Sequence, residues 1–128
     1  MTTTQLDLIA AVDLARLAPS VHNTQPWRFR VDGDVLTLSR DPARQLEVLD
    51  PTGRQQVISC GTALHLARLA LRLQGFDAEV VPLPQTGDPD VLATLVPVPG
   101  HRVVDADVAV ADAARHRHTQ RGTFEDRA

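Results

Sequence analysis

Apolar residues recur every three or four positions near the start of the chain and then alternate with polar residues further on. The first pattern predicts an amphipathic helix over residues 5–17, capped by Thr4 and ending before Pro19. The alternation predicts a β-hairpin with strands over residues 27–31 and 35–38, because the Asp-Gly-Asp sequence between them favours a tight turn. The chain is therefore expected to begin with a helix followed by an antiparallel strand pair.

The longest helix candidate covers residues 52–74 and ends at Gly75, and its apolar residues do not form a single stripe. Such a helix needs packing partners on two sides. One side fits the protein's own sheet, and the other fits another subunit or a missing half of the protein. A plain central core helix is the alternative interpretation. Gly61 also leaves room for another backbone to approach closely. The first predicted face comprises Val57, Cys60, Leu64, Ala67 and Leu71, and the second comprises Leu66, Leu69 and Leu73.

Shorter elements complete the predicted fold. Residues 46–49 form either a short strand or the lead-in to the long helix, and residues 76–83 are expected to form a strand. Residues 91–98 form a further strand, which we expect at the sheet edge because prolines interrupt it. An alanine-rich helix begins at residue 103 or 105 and runs to about residue 118. Together these elements predict an α+β fold in a single domain, with an antiparallel sheet packed on the long central helix.

Composition narrows the classes of function. A chain of 128 residues that is 43% hydrophobic fits one domain, and its formal net charge of −3 argues against nucleic acid as a partner. The single Cys60 cannot form an intramolecular disulfide, the first residues lack a secretion signal, and no apolar run reaches the ~20 residues that span a bilayer. We therefore expect a cytoplasmic protein with no membrane partner. Because the chain has no lysine, any anion site must use arginine side chains or backbone N–H groups.

A polar loop between the first helix and the hairpin holds the densest candidate chemistry. It reads Pro-Ser-Val-His-Asn-Thr-Gln-Pro-Trp over residues 19–27. Its two prolines fix φ and remove two backbone donors, which predicts an extended, non-helical segment between them. Ser20, Asn23 and Gln25 supply donors and acceptors of the kind that bind the edge of a planar heterocycle. A capped helix end followed by a stiff turn is the alternative interpretation.

This loop resembles the Pro-Ser-x-x-Asn-x-Gln-Pro-Trp segment of the nitroreductase family of FMN-dependent oxidoreductases, and the histidine before the asparagine resembles the actinobacterial, dormancy-associated Acg-like branch. Residues 58–75 resemble the long central helix of that family, which forms the core of its dimers. The resemblance therefore implies a partial nitroreductase-like fold completed by a homodimer. It also implies that four loop residues lie along the flavin ring: Pro19, Ser20, Asn23 and Gln25.

Residues 112–128 form a basic C-terminal segment. This segment resembles the Arg-Arg-Ser-x-Arg-x-Phe opening of a nitroreductase unit, which holds the phosphate and ribityl chain of FMN. Stabilisation of basic residues by the dipole at a helix C-terminus is the alternative interpretation. The resemblance assigns the phosphate side of the site to Arg115, Arg117, Thr119 and Arg121.

The order of the two motifs bears on function. In ordinary nitroreductases the arginine motif precedes the proline-flanked loop, whereas here the loop comes first, so the chain resembles the first half of a long Acg-like member plus the opening of its second half. The implied function is an FMN-dependent oxidoreductase that transfers hydride from NAD(P)H to nitro compounds or quinones. The alternative is a non-catalytic protein that binds or sequesters flavin, or a truncated half that dimerises.

Overall fold

Three helices and four strands make up the described part of the chain, residues 6–84 and 87–122 of a computed structural model. This part has the predicted α+β composition. The helices are α1 (Leu8–Ala15), α2 (Arg54–Leu73) and α3 (Asp105–His116). The strands are β1 (Trp27–Asp32), β2 (Val35–Arg40), β3 (Phe76–Pro82) and β4 (Val91–Pro99), and single 3₁₀ turns cover Val21–Asn23 and Pro42–Arg44.

The four strands form one antiparallel sheet in the order β1-β2-β4-β3. The first two strands are the predicted hairpin, with Trp27 opposite Arg40 and Asp32 opposite Val35, which leaves a two-residue turn. Gly33 lies in that turn with a φ of +59°, a conformation that glycine adopts without steric cost. The hairpin prediction is therefore confirmed.

The prediction that the strand over residues 91–98 lies at the sheet edge is wrong. Strand β4 lies between β2 and β3. The pairing of β4 with β2 extends only as far as Leu95. Pro97 and Pro99 lie beyond that point and pair with β3 alone. Proline is tolerated there because a strand side with no neighbour does not need the missing N–H donor. The prolines therefore mark a local edge at one end of an internal strand.

Buried apolar side chains fill the space between α2 and the sheet and the space between α2 and α1. Alanines at the facing surfaces of α1 and α2 let the two helices approach closely, since small side chains leave the backbones near each other. Among the core residues that are almost or fully inaccessible to solvent are Ala11, Ala15, Leu36, Leu38, Ala63, Ala67, Leu71 and Leu95.

A buried polar cluster fixes the start of α2. The carboxylate of Asp50 accepts the backbone N–H of Gln55 at 3.1 Å and that of Gln56 at 2.9 Å. The side chain of Gln56 donates to the carbonyl of Asp41 at 2.6 Å and accepts from Arg40 Nη1 at 3.2 Å. These bonds satisfy donors that a helix N-terminus leaves without partners. Because Arg40 ends β2, the cluster also holds α2 in place against the sheet.

The boundaries of α1 differ from the prediction. Helix α1 begins at Leu8 rather than residue 5, because the side chain of Asp7, not that of Thr4, caps it and accepts the N–H of Ala10 at 2.9 Å. The helix ends at Ala15, two residues early. Thr4 and residue 5 themselves lie outside the described residues.

Residues 47–49 form a turn and Val48 is exposed, so residues 46–49 are the lead-in to α2, which is one of the two alternatives predicted for them. Helix α3 ends at His116, two residues before the predicted end. Its start is held by Asp107, whose Oδ2 accepts the N–H of Val104 at 3.1 Å and lies 2.9 Å from Nε2 of His101. The hydrogen bond from His101 and then that from Val104 lower the pKa of Asp107.

The apolar surface of α2 is only partly covered within the described part of the chain. Helix α3 packs against it, and Leu66 and Leu69 are buried as predicted. Val57, on the first predicted face, is 44% exposed, and Ile58, which belongs to neither predicted face, is 57% exposed. A Cβ atom added at Gly61 would meet nothing within 4 Å, so no described backbone approaches it. A close approach by a partner, and completion of the fold by a homodimer, therefore stay predictions.

Candidate functional site

The proline loop, residues 19–26, adopts a backbone conformation that most side chains avoid. His22, Asn23 and Gln25 have φ values of +45°, +54° and +47°. The left-handed region is uncommon for residues other than glycine and costs ~1–3 kcal/mol per residue. The predicted extended conformation holds for Ser20 but not for Val21–Asn23, which form a 3₁₀ turn. Because strain of this kind concentrates at ligand-binding sites, the loop is the first candidate for one.

Side-chain hydroxyls on α2 hold the loop in this conformation. Ser59 Oγ accepts the N–H of Val21 at 2.9 Å. Thr62 Oγ1 lies 2.7 Å from the carbonyl oxygen of Pro19 and 2.6 Å from that of Ser59, so its single hydrogen is shared between these two acceptors. Ser59 is itself 95% buried, with a relative exposure of 5%. These two bonds satisfy loop backbone groups that have no partner in a helix or strand. The helix therefore determines where the loop lies.

Further bonds close the loop at its C-terminal end. Ser20 Oγ accepts the N–H of Gln25 at 3.1 Å, which bridges the left-handed residues. The carbonyl of Pro26 accepts the N–H of Asp41 at 2.7 Å and lies 3.8 Å from Sγ of Cys60. The loop is thus attached to α2 at one end and to the segment after β2 at the other.

Two adjoining concavities lie beside the loop. The larger, which we call the helix groove, has a volume of about 570 Å³, runs between α2 and α3, and is mostly apolar. The smaller, which we call the hydroxyl recess, has a volume of about 290 Å³. They share Pro19, Ile58 and Thr62, so they form one continuous surface. The groove also includes Gly61, His65, Leu66, Val110, Ala113, Ala114 and Arg117, and the recess also includes Ser20, Val21, Gln55, Ser59 and Thr119.

The described part of the C-terminal basic segment, residues 112–122, reaches this surface just after α3 ends, and residues 123–128 lie outside the described residues. Arg117 Nε donates to the carbonyl of Leu17 at 3.2 Å, and Arg117 Nη1 donates to Oγ1 of Thr119 at 2.6 Å. Arg117 lines the helix groove, and Thr119 lines the hydroxyl recess. The proline loop and part of the C-terminal basic segment therefore meet within one chain, although about a hundred residues separate them in sequence.

The structure brings together only some of the eight residues predicted for the site. Asn23 is exposed, and its amide has no hydrogen-bond partner among residues 6–84 and 87–122. Gln25 lines a different cleft, beside Trp27. Arg115 and Arg121 are exposed and form no ion pair with any described residue. The predicted residues that line the groove or the recess are Pro19, Ser20, Arg117 and Thr119.

Sequence reasoning missed two groups of residues near the loop. Ser59 and Thr62 lie three residues apart on α2, and two hydroxyls on one face of an otherwise apolar helix are a usable signal. Arg16, Arg28 and Arg44 surround the cleft that contains Gln25. Because these arginines come from three separate elements, no local spacing pattern could have linked them.

Cys60 is buried, and its thiol stays protonated at neutral pH. Burial raises the pKa of its thiol to about 11, and the opposing effect of Arg40 is smaller. Within residues 6–84 and 87–122, no group of three or more histidine, cysteine or acidic side chains is arranged to hold a metal ion. Across the same residues, none of the helices has both the length and the apolarity needed to cross a bilayer.

Comparison with known proteins agrees with the resemblance inferred from the loop. A Mycobacterium tuberculosis H37Rv protein named "Putative NAD(P)H nitroreductase Rv3131" is 46% identical over 112 residues, which is 87% of this chain and 32% of the relative. The protein named "Putative NAD(P)H nitroreductase acg" from the same strain is 36% identical over 124 residues, 97% of this chain and 37% of the relative. PigM of Serratia sp. ATCC 39006, named "Probable NAD(P)H nitroreductase PigM", is 33% identical over 91 residues, 68% of this chain and 25% of the relative. No protein-family model matches the chain.

The described residues form an α+β fold. In this fold the proline loop, with its left-handed residues, and the C-terminal basic segment meet at the surface of α2. Over most of its length the chain is homologous to proteins named as putative NAD(P)H nitroreductases, and Acg is among these relatives. The chain spans about a third of the length of the curated relatives that it matches.

Proposed function

We propose that this chain is part of an NAD(P)H-dependent FMN oxidoreductase of the nitroreductase type. We further propose that the proline loop and the C-terminal basic segment hold the flavin. The observation that supports this most strongly is the meeting of the two segments at one continuous surface, formed by the helix groove and the hydroxyl recess.

The chemistry of this surface fits FMN. A flavin has a flat, largely apolar ring with a polar edge, and it ends in a phosphate. The helix groove offers apolar walls from Ile58, Leu66 and Val110, and its volume lies within the range of about 300–1,000 Å³ typical of small-molecule sites. Arg117 supplies a guanidinium at the groove, and such groups bind phosphate oxygens through paired hydrogen bonds. The exposed amide of Asn23 is available for the polar edge of the ring.

In this proposal the two segments bind different parts of the flavin. Ser20 and Asn23 orient the ring, and Arg117 and Thr119 hold the phosphate side, with Arg115 and Arg121 adding positive charge from exposed positions. Bound FMN would accept hydride from NAD(P)H and pass it to a nitro compound or a quinone. The protein contributes binding, orientation and the exclusion of water. Because the exposed Val57 and Ile58 leave part of α2 uncovered, we propose that a homodimer completes the enclosure.

Paired titrations with FMN and riboflavin test the two halves of the site separately. Arg117→Gln removes a charge-assisted hydrogen bond, worth ~1.5–3 kcal/mol, so FMN binding should weaken about 10-fold or more while riboflavin binding stays constant. Asn23→Gly keeps a positive φ accessible and removes the amide, so both flavins should bind about 2- to 10-fold more weakly. Arg102→Gln, at an exposed arginine away from the groove, is the charge-matched control.

Flavin fluorescence quenching gives the dissociation constants, and thermal melts verify that each variant is folded. Sedimentation of the chain with and without FMN measures the proposed homodimer. Failure of the unmodified chain to bind FMN saturably would remove the proposal. So would equal effects of Arg117→Gln on FMN and riboflavin.

Flavin binding without turnover is a second candidate, favoured by a groove that is open to solvent on one side. The discriminating measurement is the oxidation of NADH and NADPH by the FMN-loaded chain in the presence of a nitroaromatic. A rate above that of free FMN supports the oxidoreductase. Tight binding with no such rate supports the second candidate.

A further inference from the structure

A separate polar cleft lies at the Trp27 end of the proline loop. It has a volume of about 230 Å³ and shares no lining residue with the helix groove or the hydroxyl recess. We call it the arginine cleft, because guanidinium groups from three elements converge on it: one follows α1, one belongs to β1 and one lies in the turn after β2. Its lining residues are Arg16, Gln25, Trp27, Arg28, Asp41 and Arg44.

Positive charge in the arginine cleft exceeds the negative charge available to balance it. Asp41 is the single carboxylate among the lining residues, and it pairs with both Arg28 Nη2 at 3.0 Å and Arg44 Nε at 3.5 Å. Arg16 forms no ion pair with any residue in the described ranges 6–84 and 87–122. Three guanidinium groups and one carboxylate leave two net positive charges in a chain whose formal net charge is −3.

Arg44 connects the cleft to the strained part of the loop. Its Nη1 donates to the carbonyl of Thr24 at 3.1 Å and lies 3.5 Å from the carbonyl of Gln25, whose φ is +47°. A guanidinium has five N–H donors, so Arg44 retains donors beyond those directed at the loop and at Asp41. Any ligand bound through Arg44 would therefore lie directly against the left-handed residues.

We propose that the arginine cleft binds a phosphate-sized oxyanion, either free phosphate or the phosphate group of a nucleotide. Guanidinium forks match phosphate oxygens geometrically, and a concave surface with excess positive charge raises the local anion concentration. The cleft is large enough for such a group but smaller than typical sites for drug-sized ligands. This site is distinct from the proposed flavin site and does not depend on it.

Trp27, the protein's one tryptophan, lines the cleft and gives an intrinsic signal for the test. The full chain is titrated with inorganic phosphate at constant ionic strength, and tryptophan fluorescence is recorded. We expect a saturable change. Arg16→Gln and Arg44→Gln should each raise the phosphate concentration at half-saturation about 10-fold, because each removes a charge-assisted contact to the anion. Arg102→Gln, which lies outside the cleft, should leave the titration unchanged.

Two further ligands identify the source of the oxyanion. Tighter binding of adenosine monophosphate than of inorganic phosphate, with no binding of adenosine, supports a nucleotide phosphate. Equal binding of the two phosphates supports free phosphate. A response that does not saturate, or that is the same in Arg16→Gln and Arg102→Gln, overturns the proposal. Since Arg16 is exposed and outside any described ion pair, its variant keeps the test valid even if Arg44→Gln disturbs the loop.

Discussion

Replacing Ser59 by alanine tests whether α2 holds the proline loop in its strained conformation. Ser59 is buried, and its Oγ accepts the N–H of Val21 at 2.9 Å and donates to the carbonyl of Gln55 at 2.8 Å. The substitution removes both bonds. The N–H of Val21 then loses its acceptor in a partly buried setting, whereas the carbonyl of Gln55 keeps its place in the helix.

The expected destabilisation follows from these two losses. A buried donor without an acceptor costs ~1–3 kcal/mol. Alanine is the better helix former by roughly 0.5 kcal/mol, which offsets part of that cost. The net loss is therefore about 0.5–2.5 kcal/mol. For a chain of 128 residues, an unfolding entropy of about 2.1 cal/mol/K per residue converts this loss to a fall in Tm of roughly 2–9 °C.

Thermal unfolding followed by circular dichroism measures the effect, and hydrogen exchange at Val21 locates it. The exchange rate of the Val21 amide should rise more than the rates in β2. Ser39→Ala is the matched control, because the Ser39 side chain forms no hydrogen bond with any described residue. A Tm within 1 °C of the Ser39→Ala value, with unchanged exchange at Val21, would refute the idea that α2 determines the loop conformation.

The remaining predictions concern the helix ends and the thiol. Asp50→Ala should lower the free energy of unfolding by about 1–3 kcal/mol in a urea titration, since it leaves the N–H groups of Gln55 and Gln56 without their acceptor; Asp50→Asn should restore part of the loss. The lowered pKa of Asp107 contributes stability above pH 3.8, the ordinary value, and this contribution is lost as pH falls through the lowered pKa. The Tm difference between the parent and Asp107→Asn should therefore be largest near neutral pH and shrink below pH 4, whereas a pH-independent difference contradicts this role. Cys60, with a pKa of about 11 against an ordinary 9.0, should react with iodoacetamide at pH 8 about 100-fold more slowly in the native than in the unfolded chain, and equal rates would contradict its burial.

Elements with a clear local pattern were predicted well from the sequence. The hairpin followed from alternation around an Asp-Gly-Asp turn, and α2 followed from a long apolar pattern that ends at Gly75, whose φ is +89°. The family resemblance rested on the loop and on α2, and the relatives confirm it. In each case the residues that determine the element are neighbours in sequence.

Features that depend on distant residues were predicted poorly. The internal position of β4 follows from how far its pairing with β2 extends, which proline content alone does not reveal. The loop that contains the left-handed residues is hydrogen-bonded to Ser59 and Thr62, which lie far along the chain on α2. The arginine cleft likewise combines three elements that are separate in sequence. Tertiary contacts determined each of these outcomes.

The central claim is that the proline loop and the C-terminal basic segment bind one FMN molecule together. The most direct test is an NMR titration of the isotope-labelled chain with FMN, in which backbone amide shifts are followed for every assigned residue. The account predicts that Ser20, Asn23, Arg117 and Thr119 shift together with one common dissociation constant. Shifts confined to one of the two segments, or centred on residues outside the helix groove and the hydroxyl recess, would contradict it.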